Sequence, residues 1–231
     1  MNGTPKKGFA PPTDSDEDEE YTSDQESSEE EVQSEDEGPA EVPDDELDDA
    51  AKLVRAAERK EAGNDLFKKK DYVNATRFYT QAISLDPRNP AYLTNRAASR
   101  MGSKQYQAAL EDCQNAAALQ AAAPQSKTLL RLARCQLALG RVEPAQQTLD
   151  QLLKLDGANA QVQQERARCA RIANHVSNVK RELANKNWSM VLLGVDAAAR
   201  EVDETPKEWR TWKVEALIGK KQYDAAAGMA A

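Results

Sequence analysis

"KEAGNDLFKKKDYVNATRFYTQAISLDPRN", residues 60–89, decides the fold of this 231-residue chain. It reads as a helical hairpin. Gly63 is the small residue of a first helix, Ala75, Tyr79 and Ala82 lie along a second, and Pro87 closes the turn. Small side chains at those contacts let two helix backbones approach each other. One residue resists the pattern. Asn64 sits in the first helical stretch, although the amide of an asparagine competes with the backbone and weakens a helix interior. The anomaly returns at Asn95, in "LTNRAA". Two such asparagines beside small residues suggest a site.

The hairpin repeats. A second unit begins near Pro90 with Ala97, Tyr106, Ala109, Cys113 and Ala116 in the same roles, and a third near Ser126 with Ala133, Ala145, Leu149 and Leu152. Starts at 56, 90 and 126 are 34 and 36 residues apart, and "QAAAPQ" at 120–125 absorbs the extra two. This period and placement of small residues resemble the tetratricopeptide repeat. A hairpin of that kind cannot bury its apolar face alone, so stability comes from stacking. The expected fold is an all-α solenoid of antiparallel hairpins, with the first helix of each hairpin lining a groove. Residues 156–187 read as helix throughout, long enough to cap the first array and lead into a second. "IGKKQYDAA" at 218–226 echoes "MGSKQYQAA" at 101–109, which sets a fifth unit from about Lys207 and leaves a weaker fourth around 173–206, with Trp188 and "MVLLGVDAA" in its second helix. The expected organisation is an acidic tail at 1–50, a three-repeat array at 51–157, and a connecting helix with an incomplete second array at 158–231.

Charge divides the sequence in two. The first fifty residues hold 20 Asp and Glu against two lysines, a formal charge of −18; with −8 for the whole, the other 181 residues carry +10. Residues 14–49 are too poor in large apolar side chains to offset the entropy of ordering, so a disordered tail is expected. In that tail Ser15, Ser23, Ser27, Ser28 and Ser34 precede acidic residues and are candidate acidophilic-kinase sites. Cys113, Cys135 and Cys169 form no CxxC pair and His175 is the only histidine, which supports neither a zinc cluster nor a disulfide framework, and no cofactor is expected. "MNGTPKKGFAPP" has no apolar run of the signal-peptide kind, and no stretch approaches the length of about 20 apolar residues that spans a bilayer. The expected compartment is the cytoplasm, with the nucleus also open to it, and the expected state is a monomer without membrane contact.

Lys60 and Asn64 are four apart on one helix face, Lys127 and Arg131 are four apart on another, and Asn95 lies on the helix between. A lone Lys or Arg on a helix usually faces water. Five donors on one wall, two of them asparagines where a helix prefers alanine, point instead to a ligand carrying neighbouring carboxylates. A polypeptide whose last residue is aspartate supplies such a pair. The set resembles the two-carboxylate clamp of tetratricopeptide co-chaperones, and "NAQVQQE", the helix toward "WSMVLLGVDAA" and the second array resemble the subfamily that joins these repeats to a J domain (DnaJ homologues of subfamily C, member seven type). The resemblance spans roughly residues 55–231. It implies binding to the Glu-Glu-Val-Asp C-termini of the seventy- and ninety-kilodalton heat-shock chaperones, with Phe67 and Ala98, one turn beyond the asparagines, against the ligand's apolar side chain.

Two departures limit what carries over. His175 is followed by Val176 and Ser177, not by the Pro-Asp of a J domain. In the second array Ser177 and Arg181 correspond to Lys60 and Asn64, and Trp212 to Asn95, so no second clamp is expected. Catalysis is not expected, because one histidine and scattered cysteines assemble no nucleophile, base or metal set. The basic residues are spread along helices with few aromatics, which argues against nucleic acid. The alternative that remains open is a general repeat scaffold whose acidic tail contacts basic nuclear partners such as histones.

Overall fold

The structure is a computed structural model that describes residues 43–44 and 46–230. The acidic tail up to residue 42 and its five candidate serines lie outside the described residues. From Asp49 onward the described residues form a succession of ten helices, α1 (Asp49–Lys68), α2 (Tyr72–Leu85), α3 (Pro90–Gly102), α4 (Tyr106–Leu119), α5 (Ser126–Ala138), α6 (Val142–Asp156), α7 (Ala160–Ala184), α8 (Trp188–Ala199), α9 (Lys207–Gly219) and α10 (Tyr223–Ala230). Odd and even helices pair as five hairpins, and α1 touches α3, α3 touches α5 and α5 touches α7 along one wall.

Four of the helices, α1, α2, α3 and α7, start where a short polar side chain accepts an unpaired N–H of the first turn. Asp48 accepts from Ala51 N at 2.7 Å, Asn89 from Ala91 N at 3.1 Å ahead of Pro90, and Asn159 from Gln161 N at 2.9 Å. Every hairpin turns by the same device. Lys70, Lys104, Gly140, Lys186 and Lys221 take positive φ between 55° and 63°, and the next residue's N–H reaches back to the last turn of the preceding helix, as Gln105 N does to Arg100 O at 2.7 Å. The fourth and fifth hairpins, faint in sequence, carry the device as fully as the first three. Its positions are 34, 36, 46 and 35 residues apart. The long interval belongs to α7, whose 25 residues compare with 13 in each of α3, α5 and α9. One unbroken helix packs on α5 and α6 and then pairs with α8, so it closes the first three hairpins and opens the fourth.

The small residues expected at the contacts are buried, among them Ala75, Ala82, Ala97, Ala109, Ala116, Ala133 and Ala145, and a continuous apolar core runs from Ala97 to Ala216. The three cysteines are free and buried in it. Tyr106 is only partly buried, and its hydroxyl donates to Asp203 at 2.9 Å. The α8–α9 connection holding Asp203 folds back on earlier repeats. Asp203 N and Glu204 N both donate to Ala138 O, at 2.9 and 2.8 Å, and the Arg168 guanidinium of α7 donates to Glu201 O. Basic residues also serve inside the array. Buried Asp112 accepts from Arg96 at 2.7 and 3.0 Å and from Arg100 at 2.7 Å, which ties α3 to α4.

Candidate functional site

Gly63 sets the site from below. A Cβ there would stand 2.8 Å from the Tyr79 ring, so only glycine lets α2 place this tyrosine flat against α1. The ring is buried, and its hydroxyl donates to Asn64 Oδ1 at 2.8 Å. Burial pushes the Tyr79 phenol up to about 12, so it holds its proton and remains a donor. This is one reason for an asparagine in a helix: alanine at 64 would leave a buried hydroxyl without its acceptor. Asn95 Nδ2 of α3 approaches the same oxygen at 3.4 Å, a long contact. Asn64 is therefore tied to the fold, and Asn95 far more loosely.

Asn64, Phe67, Lys68, Tyr79, Asn95, Ala98, Lys127 and Arg131 line one cavity of about 290 Å³ between α1, α3 and α5. Four of the five expected carboxylate donors meet there, together with both residues expected at the apolar contact. Lys60 does not line it. It lies a turn earlier on α1, with Nζ 2.6 Å from Glu61 Oε1.

The far wall is cationic. Arg131 Nη1 donates to Thr94 O at 2.7 Å, which fixes the guanidinium against α3, while Lys127 stays exposed at the rim. Among the described residues no carboxylate lies within 4.0 Å of either. Repulsion from Arg131, then burial, holds Lys127 below the usual lysine range; burial holds Arg131 down, and Arg134 adds to it. Two like charges one turn apart without a counter-ion are destabilising in a free protein. An anion bound between them would relieve that cost.

Lys68, which pairs with Asp65 at 3.0 Å, and Tyr79 are lining residues that the donor pattern did not pick out. Tyr79 carries a readable signal only as the aromatic opposite a glycine, because its hydroxyl's target depends on how α1 meets α2. A second cavity of about 420 Å³ at the α4–α5 turn, walled by Ala117, Pro124, Leu129 and Leu155, has Lys154 as its one charged residue and suits no doubly acidic ligand. In the second array Arg181 pairs with Glu182 at 3.1 Å, and Trp212 packs on the core under Lys180 Nζ, 5.8 Å from the ring centre. Among the described residues no helix is long and apolar enough to cross a membrane, and no His, Cys, Asp and Glu cluster could hold a metal.

Hairpins repeated on one turn device, small residues at the helix contacts and a polar pocket on the first-helix wall are those of an array of tetratricopeptide repeats. A tetratricopeptide-repeat profile matches residues 100–169. Human DnaJ homolog subfamily C member 7 is 31% identical over 184 residues, covering 80% of this chain and 37% of that protein. The Hsp70-Hsp90 organizing protein of Triticum aestivum is 46% identical over 61 residues, 26% of this chain and 10% of that one. The protein thus spans little more than a third of the first relative's length. Among solved structures the tetratricopeptide domain of P58(IPK) superposes with a TM-score of 0.66 at 18% identity, over 74% of this chain and 48% of that one, a likeness of fold.

Proposed function

We propose that this protein is a chaperone-binding adaptor whose first three hairpins take the Asp-terminated C-terminal peptide of cytosolic heat-shock chaperones. Lys127 and Arg131 receive one carboxylate, Asn64 and Asn95 donate to the pair, and Lys60 at the groove's end draws the second. The observation that carries the reading is the pair of uncompensated cations beside two asparagine amides in one cavity. A carboxylate there gains charge-assisted hydrogen bonds from donors already in place. Phe67 and Ala98, on the same wall, offer the apolar contact that the residue before the aspartate needs. The similarity to a protein named for organizing Hsp70 and Hsp90 supports the same class of partner. The protein works by holding partners in the cytoplasm, without chemistry of its own.

Calorimetric titration with a peptide ending in Glu-Glu-Val-Asp tests this. Binding is expected, and amidation of the peptide's C-terminus is expected to abolish most of it, because one of the two charges is gone. Equal affinity for free and amidated peptides would sink the clamp reading and leave the general scaffold in its place.

A further inference from the structure

The donors of the site are not all free. Lys127 and Arg131 lack a counter-ion among the described residues, but Lys60 and Asn64 share one. Glu61 places Oε1 2.6 Å from Lys60 Nζ and accepts from Asn64 Nδ2 at 2.9 Å through Oε2. One carboxylate thus spans two of the five donors with its two oxygens, the contact expected of a ligand. Tyr79 donates to Asn64 Oδ1 at 2.8 Å, with the long Asn95 contact on the same oxygen, and this arrangement leaves the Asn64 NH2 on the Glu61 side. The hydrogen bond from Lys60, then that from Asn64, holds the Glu61 carboxyl below its usual range, so it stays ionised. Its side chain is 64% exposed, and it can swing into water without opening the core.

We propose that Glu61 is an internal carboxylate that occupies the Lys60–Asn64 half of the clamp in the free protein and competes with the incoming one. The inference rests on the carboxylate-clamp reading above. It makes the two halves unequal: the Lys127–Arg131 half is open and captures an anion first, and the Lys60–Asn64 half accepts one only as Glu61 leaves. Lys60 and the Asn64 amide keep further N–H bonds, so Glu61 does not close the site. Its negative charge cancels the pull of Lys60 and repels a second carboxylate. A residue so placed lowers affinity for every ligand, and for doubly acidic C-termini most of all.

The test is Glu61→Gln, with Glu58→Gln as control, an exposed position on the same helix with the same change in net charge. Exposed ion pairs are weak, so Glu61→Gln should tighten the Asp-terminated peptide by about two- to fivefold. Glu58→Gln should leave it unchanged. Unchanged or weaker binding in Glu61→Gln, or an equal gain in both variants, overturns the proposal while leaving the clamp reading intact. A measurement without peptide separates the two further. The Asn64 side-chain amide NMR signals of the free protein should move in Glu61→Gln and not in Glu58→Gln; if they stay, the internal contact is absent and the proposal falls. If they move but neither wild type nor variant binds peptide, the clamp reading fails and the competition falls with it.

Discussion

Along the first helices of the hairpins, α1, α3 and α5 differ in chemistry from α7 and α9. On α1, α3 and α5 the wall carries Asn64, Asn95, Lys127 and Arg131 around a cavity. On α7 and α9 the corresponding positions hold Ser177, Arg181 and Trp212; Arg181 pairs with Glu182, and Trp212 packs on the core under Lys180. Both walls stand on hairpins closed by the same positive-φ turn. The repeat supplies a scaffold, and the site stands where Lys127 and Arg131 face a cavity without a counter-ion among the described residues. A position whose side chain is packed on the core, as Trp212 is, has little to offer an anionic ligand.

The largest expected effect lies on the open cations. Lys127→Ala and Arg131→Ala should each weaken an Asp-terminated peptide by tenfold or more, since a charge-assisted hydrogen bond contributes roughly 1.5 to 3 kcal/mol. Lys180→Ala, on the second wall, should leave calorimetric affinity unchanged. Comparable losses at Lys180 and Arg131 would erase the contrast between the walls. Lys127→Ala should also leave the free protein's melting temperature equal or higher, because it removes a charge held next to Arg131.

The two asparagines sharpen the comparison within the first wall. Asn64→Ala should destabilise by roughly 1 to 3 kcal/mol in urea unfolding, because Tyr79 loses its acceptor inside the fold. Gly63→Ala should cost about as much by pressing a methyl group into the same ring. Asn95→Ala forfeits only a 3.4 Å contact and gains helix propensity, so its stability should hold or rise by a few tenths of a kcal/mol while the peptide weakens. If Asn95→Ala lowers stability as Asn64→Ala does and spares the peptide, both asparagines are structural.

The smallest effect is at alkaline pH. Tyr79 is raised from 10.0 to about 12, whereas in the unfolded state it ionises near its ordinary value. An acid raised by folding contributes stability in full below the unfolded value and loses it as pH climbs through the folded one. Lys127, lowered by folding, acts in the opposite sense as pH approaches 10.5. Ultraviolet difference absorption should therefore show phenol ionising near pH 12 in the wild type, and Tyr79→Phe should remove part of that step. Tyr106, also raised to about 12, contributes to the same step, and burial raises Tyr92 as well.

Much of this was legible in the sequence. Period, small contact residues and closing prolines determine hairpins that must stack, because an amphipathic helix pair has nowhere else to bury its apolar side. Two asparagines where helices favour alanine, and basic residues four apart, mark one face without reference to any neighbour. Helix geometry alone fixes which residues share a face, so that reading needs only spacing. What spacing leaves undetermined is which group on that face meets which partner. Whether Asn64 serves ligand or tyrosine, and which arginines are consumed by Asp112, depend on how each helix crosses the next. Those crossings fix distances of a few ångströms, over which a hydrogen bond exists or does not. Tertiary packing alone decided that Lys127 and Arg131 would be left without a counter-ion among the described residues of the array.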